Sequence, residues 1–197
     1  MKTNALIIFT RNPQLGKVKT RLAKTIGDEK ALCVYNDLLS HTMKVTTQLI
    51  CDKFVFYDKM IINKDIWSDD LFYKKVQSGV DLGARMHAAF EQLFKVGYQK
   101  CIIIGSDLFD LTEHHLQEAF QKLDNADVVI GPAEDGGYYL LGLKKVISSV
   151  FINKHWGTSS VFTDTLRDLV NHQVECVEIL NDIDTFEDLE KSKYYQK

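Results

Sequence analysis

The sequence predicts an α/β three-layer sandwich built on a mostly parallel, mixed sheet. Short apolar runs alternate along the chain with longer segments whose apolar residues recur every three to four positions, the pattern of strands exchanging with amphipathic helices. The first run, residues 5–9, is apolar throughout, as a strand buried on both faces must be. Two runs end abruptly in polar residues. The first leads into a loop carrying Arg11, Lys17, Lys19 and Arg21, and residues 101–104 lead into Gly105, Ser106 and Asp107. In open α/β sheets, ligands bind at the carboxyl ends of the strands, where both groups would fall.

The 197 residues fit one domain, 1–197, long enough to bury a core without disulfides or a structural metal. A net charge of -3 and a pI near 6.1 exclude the strongly basic footprint of a nucleic-acid binder. No apolar run reaches the length of a membrane span, and the amino-terminal run is too short for a signal peptide, so a cytoplasmic protein is expected. Cys33, Cys51, Cys101 and Cys176 form no CxxC pair, and buried, reduced thiols are expected.

After the basic loop, Asp28 can cap a long helix with Leu32, Tyr35, Leu38, Leu39, Thr42, Val45 and Leu49 on one face. Residues 54–57 read as a second strand and 73–77 as a weaker third, with a polar loop or broken helix at 59–70 between them. Gly79 and Gly83 bracket Asp81 in a turn, and Leu82, Met86, Ala89, Phe90 and Leu93 then make a helical stripe. Arg85 lies in that helix's first turn, where the dipole favours anions. Either it pairs with Asp81, or it and the helix start share an anionic ligand.

Residues 101–104 are the strongest strand, and Thr112 caps the helix that follows. His114 and His115, about 100° apart on that helix, make a poor metal pair and read as surface residues. Residues 127–132 and 138–143 read as strands joined antiparallel through Asp135, Gly136 and Gly137, two glycines that let a ligand approach the backbone beside Glu134 and Asp135. A short helical piece at 144–151 follows. A helix capped by Thr158 or Ser159 then turns Val161, Thr165, Leu166, Leu169 and Val170 inward. Trp156, on the loop before it, is either hydrophobic cover or the wall of a cleft. A last strand at 174–180 and a terminal helix capped by Asp184 or Thr185 complete the chain.

The basic loop is built to hold an anion, with phosphate the expected guest, or else its cations form a solvated face paired with acidic neighbours. It is neither a Walker A loop, since Arg11 and Val18 stand where glycine and Ser/Thr belong, nor a GxGxxG fingerprint. Asp107 follows one strand and Asp182 and Asp184 follow another, so their carboxylates can converge on one divalent ion. Mg²⁺ and Mn²⁺ prefer such oxygen ligands together with substrate phosphates. Loop and ion would then hold a diphosphate from opposite sides. No Ser/His/Asp or Cys/His nucleophile pattern competes.

With these residues in view, the chain resembles a family of small bacterial transferases of the nucleotide-diphospho-sugar transferase superfamily, the selenodomain-associated, glycosyltransferase-like group with the GT-A fold. The resemblance rests on FTRNPQLGKVKTRLA, QSGVDLGARM, IIIGSD, GPAEDGGYYLLGL, WGTSSV and NDIDTFEDL in that order, and covers nearly the whole chain. More distantly, the layout is similar to guanylyltransferases of molybdenum-cofactor and deazaflavin-cofactor synthesis. The resemblance implies a nucleotide with its phosphates near Arg11, Lys17, Lys19 and Arg21, and Arg85, from its own place at a helix start, is expected beside them. It also implies a metal at Asp107 with Asp182 or Asp184. An acceptor or sugar would, by the same resemblance, lie along Asp135, Gly136, Gly137 and Tyr138, and the residues themselves make Asp81 and Trp156 candidate further substrate contacts. Phe109 stands where relatives carry proline, and Arg11 where they commonly carry lysine.

Three functions are therefore in play. The first is a metal-dependent glycosyltransferase using a nucleotide-sugar donor and a small-molecule acceptor, with Glu134 or Asp135 as the base. The second is a nucleotidyltransferase that joins an NMP to a phosphorylated small molecule and releases pyrophosphate. The third is a nucleotide-binding module without catalysis.

Overall fold

The computed structural model describes residues 3–196, of which Gln196 by its backbone alone. It contains β1 (Asn4–Thr10), α1 (Thr20–Ile26), α2 (Asp28–Thr47), β2 (Asp52–Tyr57), β3 (Phe72–Val76), α3 (Leu82–Lys95), β4 (Lys100–Ile104), α4 (Glu113–Asn125), β5 (Val128–Pro132), β6 (Tyr138–Leu143), α5 (Val161–Asp168), β7 (Val174–Cys176) and α6 (Phe186–Lys191). The strands form one sheet in the order β3-β2-β1-β4-β6-β5-β7. β1 pairs parallel with β2 and β4, β2 with β3, and β5 with β7, while β6 runs antiparallel to both β4 and β5. The fold is thus an α/β three-layer sandwich with a largely parallel central sheet.

Strand side chains alternate between faces, so each strand serves two cores. Leu6, Ile8, Ile102 and Ile104 face α2 and α4, where they meet Tyr35, Leu39, Leu116 and Leu123. Ala5, Ile7, Cys101 and Ile103 face α3, meeting Met86, Phe90 and Leu93 together with Phe151 from a short 3-10 turn. Both faces being covered accounts for the unbroken apolar runs.

A third, smaller core positions the site. Leu22 of α1, Ala31, Val34 and Leu38 of α2, and Ile183 and Leu189 near α6 pack together, with Phe109 against them. It clamps α1, which follows the basic loop, against the chain's last segment. Ile183 is fully buried, and its backbone N–H donates to the Asp107 carbonyl at 3.1 Å.

Several sequence expectations shift. A helix, α1, occupies part of the predicted basic loop; its seven residues bury only Leu22 and so show no stripe in the sequence. Asp28 is the first residue of α2 rather than its cap. Neither Thr158 nor Ser159 caps α5, whose N-cap is Ser160, and Leu166 and Val170 are 37% and 79% exposed. Thr112 caps α4, but His115 is buried. Its Nδ1 accepts from the Thr112 N–H, closing a capping box, and its Nε2 sits 3.1 Å from Glu178. Of the four thiols only Cys101 is buried, with Cys33 and Cys176 exposed, and all four are free.

Ile183→Ala is expected to cost about 2–5 kcal/mol, because it empties the small core that joins α1 to the carboxyl-terminal segment. Urea denaturation at fixed pH measures it.

Candidate functional site

The carboxyl ends of β1 and β4 lie side by side, and three hydrogen bonds, two between hydroxyls and one from backbone to a hydroxyl, set their loops. Thr10 Oγ1 lies 3.2 Å from the Tyr35 hydroxyl and 3.4 Å from Ser106 Oγ. The Tyr35 hydroxyl also accepts from the Arg11 N–H at 2.8 Å, fixing where the basic loop departs. From there the chain reaches Lys19, whose backbone is left-handed at φ 47° and ψ 43°. That conformation costs a non-glycine residue roughly 1–2 kcal/mol, so neighbours must hold it.

The holding groups are carboxylates. Lys19 Nζ donates to Asp107 Oδ2 at 3.1 Å and to Asp184 Oδ1 at 2.9 Å, and the side chain is only 4% exposed. Arg21 pairs with the other oxygen of Asp184. Burial alone would lower the Lys19 pKa, but the two carboxylates together carry it above the ordinary lysine value. Burial would raise Asp184, yet Lys19 and then Arg21 hold it below the usual carboxylate range.

Asp182, on the other side of the buried Ile183, lacks such a partner. Burial, and then the charges of Asp107, Asp135 and Asp184, push its pKa up to about 7. One oxygen from each of Asp107, Asp182 and Asp184 lies within 4.8 Å of the others. An all-oxygen, carboxylate-rich donor set suits a hard divalent cation. Asp182 is the member a cation would relieve most, since no lysine or arginine among the described residues pairs with it.

Two clefts meet at this cluster, sharing Asp107, Gly105 and Leu82. The larger, about 520 Å³, is bordered by Arg11, Lys19, Arg21, Arg85 and Asp184. The smaller, about 210 Å³, lies between Asp182, Asp135, Gly137, Tyr138 and Trp156. Its walls are fastened by two glycines. A Cβ on Gly136, which has φ +88°, would lie 2.3 Å from the Ser159 carbonyl oxygen, and one on Gly83 would lie 2.9 Å from the Trp156 ring. Small residues there let the loop carrying Trp156 seat against both the β5–β6 turn and α3.

Four expected site residues line neither cleft: Lys17, which is exposed, Asp81, Glu134 and Gly136. Asp81 instead caps α3, accepting from the Ala84 N–H at 2.8 Å. It forms no ion pair with Arg85, whose Nε donates to the Gly79 carbonyl at 3.1 Å. Conversely, Asp58 and Gln77 border the larger cleft without having been singled out. Each directly follows a strand, β2 or β3, and that position was the available signal. Gln77 Nε2 donates to the Phe56 carbonyl at 2.9 Å and the Thr10 carbonyl at 3.3 Å, which fixes the amide's orientation.

A family model described as "Uncharacterized protein conserved in bacteria (DUF2064)" matches residues 42–158, more than half of the chain. The chain belongs to the DUF2064 family. No curated protein matches the sequence significantly. Among solved structures, the chain is similar to a putative nucleotide-diphospho-sugar transferase from Desulfovibrio desulfuricans G20, with 28% identity and a TM-score of 0.87. That match covers 98% of this chain and 92% of the other. The fold recurs in the inositol-1-phosphate CTP transferase from T. maritima, at 15% identity and TM-score 0.60, covering 100% and 95% of the two chains. It recurs again in Rv0371c from Mycobacterium tuberculosis H37Rv in complex with manganese, at 14% identity and TM-score 0.57, covering 97% of each. The chain thus has the fold of the nucleotide-diphospho-sugar transferase superfamily, with a three-aspartate cluster as its candidate metal site. No helix among the described residues is long and apolar enough to cross a membrane.

The high pKa of Asp182 has a consequence for stability. Between the unfolded carboxylate value, 3.8, and about 7, the folded protein binds the extra proton, so stability falls as pH rises through that window and stays lower above it. Asp182→Asn removes this loss. The metal-free Tm at pH 8 is expected to rise by about 2–4 °C, the shift that roughly 1 kcal/mol gives in a chain of this size, with little change at pH 4. Thermal melts in EDTA at the two pH values measure it.

Proposed function

We propose that this protein is a metal-dependent transferase that acts on a nucleotide-diphosphate-sugar donor. The single observation that carries this reading is the meeting of two clefts at Asp107, one cationic and one without a basic residue, across the three-aspartate cluster. Transferase activity is supported by the likeness, over nearly the whole chain, to the D. desulfuricans nucleotide-diphospho-sugar transferase. We assign the chain to the selenodomain-associated, glycosyltransferase-like group on its ordered motifs, with residues 1–197 as one such domain working in the cytoplasm.

In this reading Arg11, Lys19, Arg21 and Arg85 bind the donor's diphosphate in the larger cleft. Asp107, Asp182 and Asp184 would hold Mg²⁺ or Mn²⁺, which when bound neutralises negative charge on the leaving diphosphate. Lys19 shares that task, because its ammonium already lies between two of the three carboxylates. Asp135, in the smaller cleft, takes the proton from the acceptor's attacking group. Glu134, turned out of that cleft, is not assigned the role. Gly137, Tyr138 and Trp156 contact the acceptor or the transferred sugar.

Two measurements test this. With Mn²⁺ present, nucleoside diphosphates are expected to raise the Tm, and Asp107→Ala to abolish most of that gain. At a hundredfold excess over Kd the lost stabilisation is about 2.7 kcal/mol. Turnover of a nucleotide-sugar panel should release free nucleoside diphosphate. Release of pyrophosphate from nucleoside triphosphates with a sugar phosphate would instead establish nucleotidyl transfer, and Mn²⁺-independent nucleotide binding with no turnover of either kind would establish a binding module.

A further inference from the structure

The two clefts differ sharply in charge. The larger presents four basic side chains, Arg11, Lys19, Arg21 and Arg85, against the carboxylates of Asp58, Asp107 and Asp184. Among the described residues, the smaller is lined by Asp107, Asp135 and Asp182 and by no lysine, arginine or histidine. A divalent cation held by Asp107, Asp182 and Asp184, together with Lys19 and Arg21, would offset those carboxylates and leave Asp135, which forms no ion pair among the described residues, as the charge facing the acceptor. A phosphate monoester, carrying close to two negative charges at neutral pH, would face Asp135 there with no basic side chain to receive it.

The remaining lining is aromatic and apolar. Tyr138 and Trp156 meet edge to face at a centroid distance of 6.3 Å and an interplanar angle of 84°. Met86, Leu108 and Val161 supply apolar surface beside them. Aromatic faces carry negative charge density, so they attract cations and apolar ring faces and disfavour anions. The wall is also held in advance of any ligand. Trp156 sits against Gly83 in α3, and the Phe162 N–H donates to the Gly136 carbonyl at 3.0 Å, bolting the start of α5 to the β5–β6 turn.

We infer that the smaller cleft selects an acceptor without phosphate or carboxylate: a small hydroxylated ring, neutral or bearing an amine, that stacks on Trp156 and hydrogen-bonds to Asp135. The inference rests on the two-substrate reading above and narrows it. Its attacking atom is then a hydroxyl or amine nitrogen, which forms the new bond to the donor's sugar carbon as the bond from that carbon to the diphosphate oxygen breaks. The nucleophile's proton passes to Asp135, and the electron pair leaves with the nucleoside diphosphate. The same lining disfavours the phosphorylated co-substrates that nucleotidyl transfer to a sugar phosphate requires.

Trp156 can report on this directly. The chain has two tryptophans, and the other, Trp67, is buried in the core against Phe72. In a Trp67→Phe background, with Mg²⁺ and pyrophosphate filling the larger cleft, the fluorescence of Trp156 is followed during titration with methyl β-glucoside, glucosamine or glucose 1-phosphate. The first two are expected to give saturable changes, with glucose 1-phosphate binding at least tenfold more weakly. Thr158→Lys, which adds a cation to the lining, should shrink that gap. Glucose 1-phosphate binding as tightly as the uncharged glucoside, or no response to any of the three, overturns the inference. Calorimetric titration of Mg²⁺-pyrophosphate is read separately. Its failure to bind would sink the donor-site reading, while the preference among the three sugars still judges the smaller cleft.

Discussion

The site depends on one buried ammonium. Lys19 is the point at which three distant parts of the chain are held together: its own loop after β1, Asp107 after β4, and Asp184 before α6. Without it, three carboxylates would face one another in a partly buried pocket, and like charges in such a setting cannot all remain ionised. The left-handed backbone at Lys19 is part of the same arrangement. Placing the side chain across to the β4 end demands an unfavourable conformation, and two ion pairs sustain it.

Hydrophobic packing brings these charges together. Asp182 and Asp184 flank Ile183, and in an extended segment successive residues point to opposite sides. Burying Ile183 in the small third core therefore turns both carboxylates the other way, toward the two clefts. The hydrogen bond from the Ile183 N–H to the Asp107 carbonyl then sets their distance from the β4 end. Phe109 fits the same logic. Its side chain packs beside His41 and Tyr194 around that core, so the turn after Asp107 is steadied by aromatic packing.

Much of this was legible in the sequence because two signals are local. An apolar run that stops at a basic loop, or at Gly-Ser-Asp, marks a strand end, and strand ends share one edge of a parallel sheet. That was enough to bring Arg11, Lys19, Arg21 and Asp107 to one place. What escaped depends on tertiary packing. His115 looked exposed because a polar residue in the first turn of a helix usually is, yet it is buried closing a capping box. Asp58 and Gln77 follow β2 and β3, whose roles depend on strand order, and order is not written in spacing. Asp81 lies between two glycines in a ligand-like context, but the nearest N–H group, that of Ala84, takes its carboxylate first.

The choice of lysine at position 19 has a physical reason beyond charge. An arginine would meet a carboxylate through a planar fork, a geometry that rewards one bidentate partner and resists reorganisation. An ammonium is a compact point charge with three donors on a flexible stem. It can divide itself between Asp107 and Asp184, as it does here, and turn toward a third anion by rotating about its own bonds. Arg21 stays on Asp184 from the exposed side, so that carboxylate keeps a partner if the ammonium moves. The pocket thereby gathers its acidic groups around one buried positive charge at the junction of its two clefts.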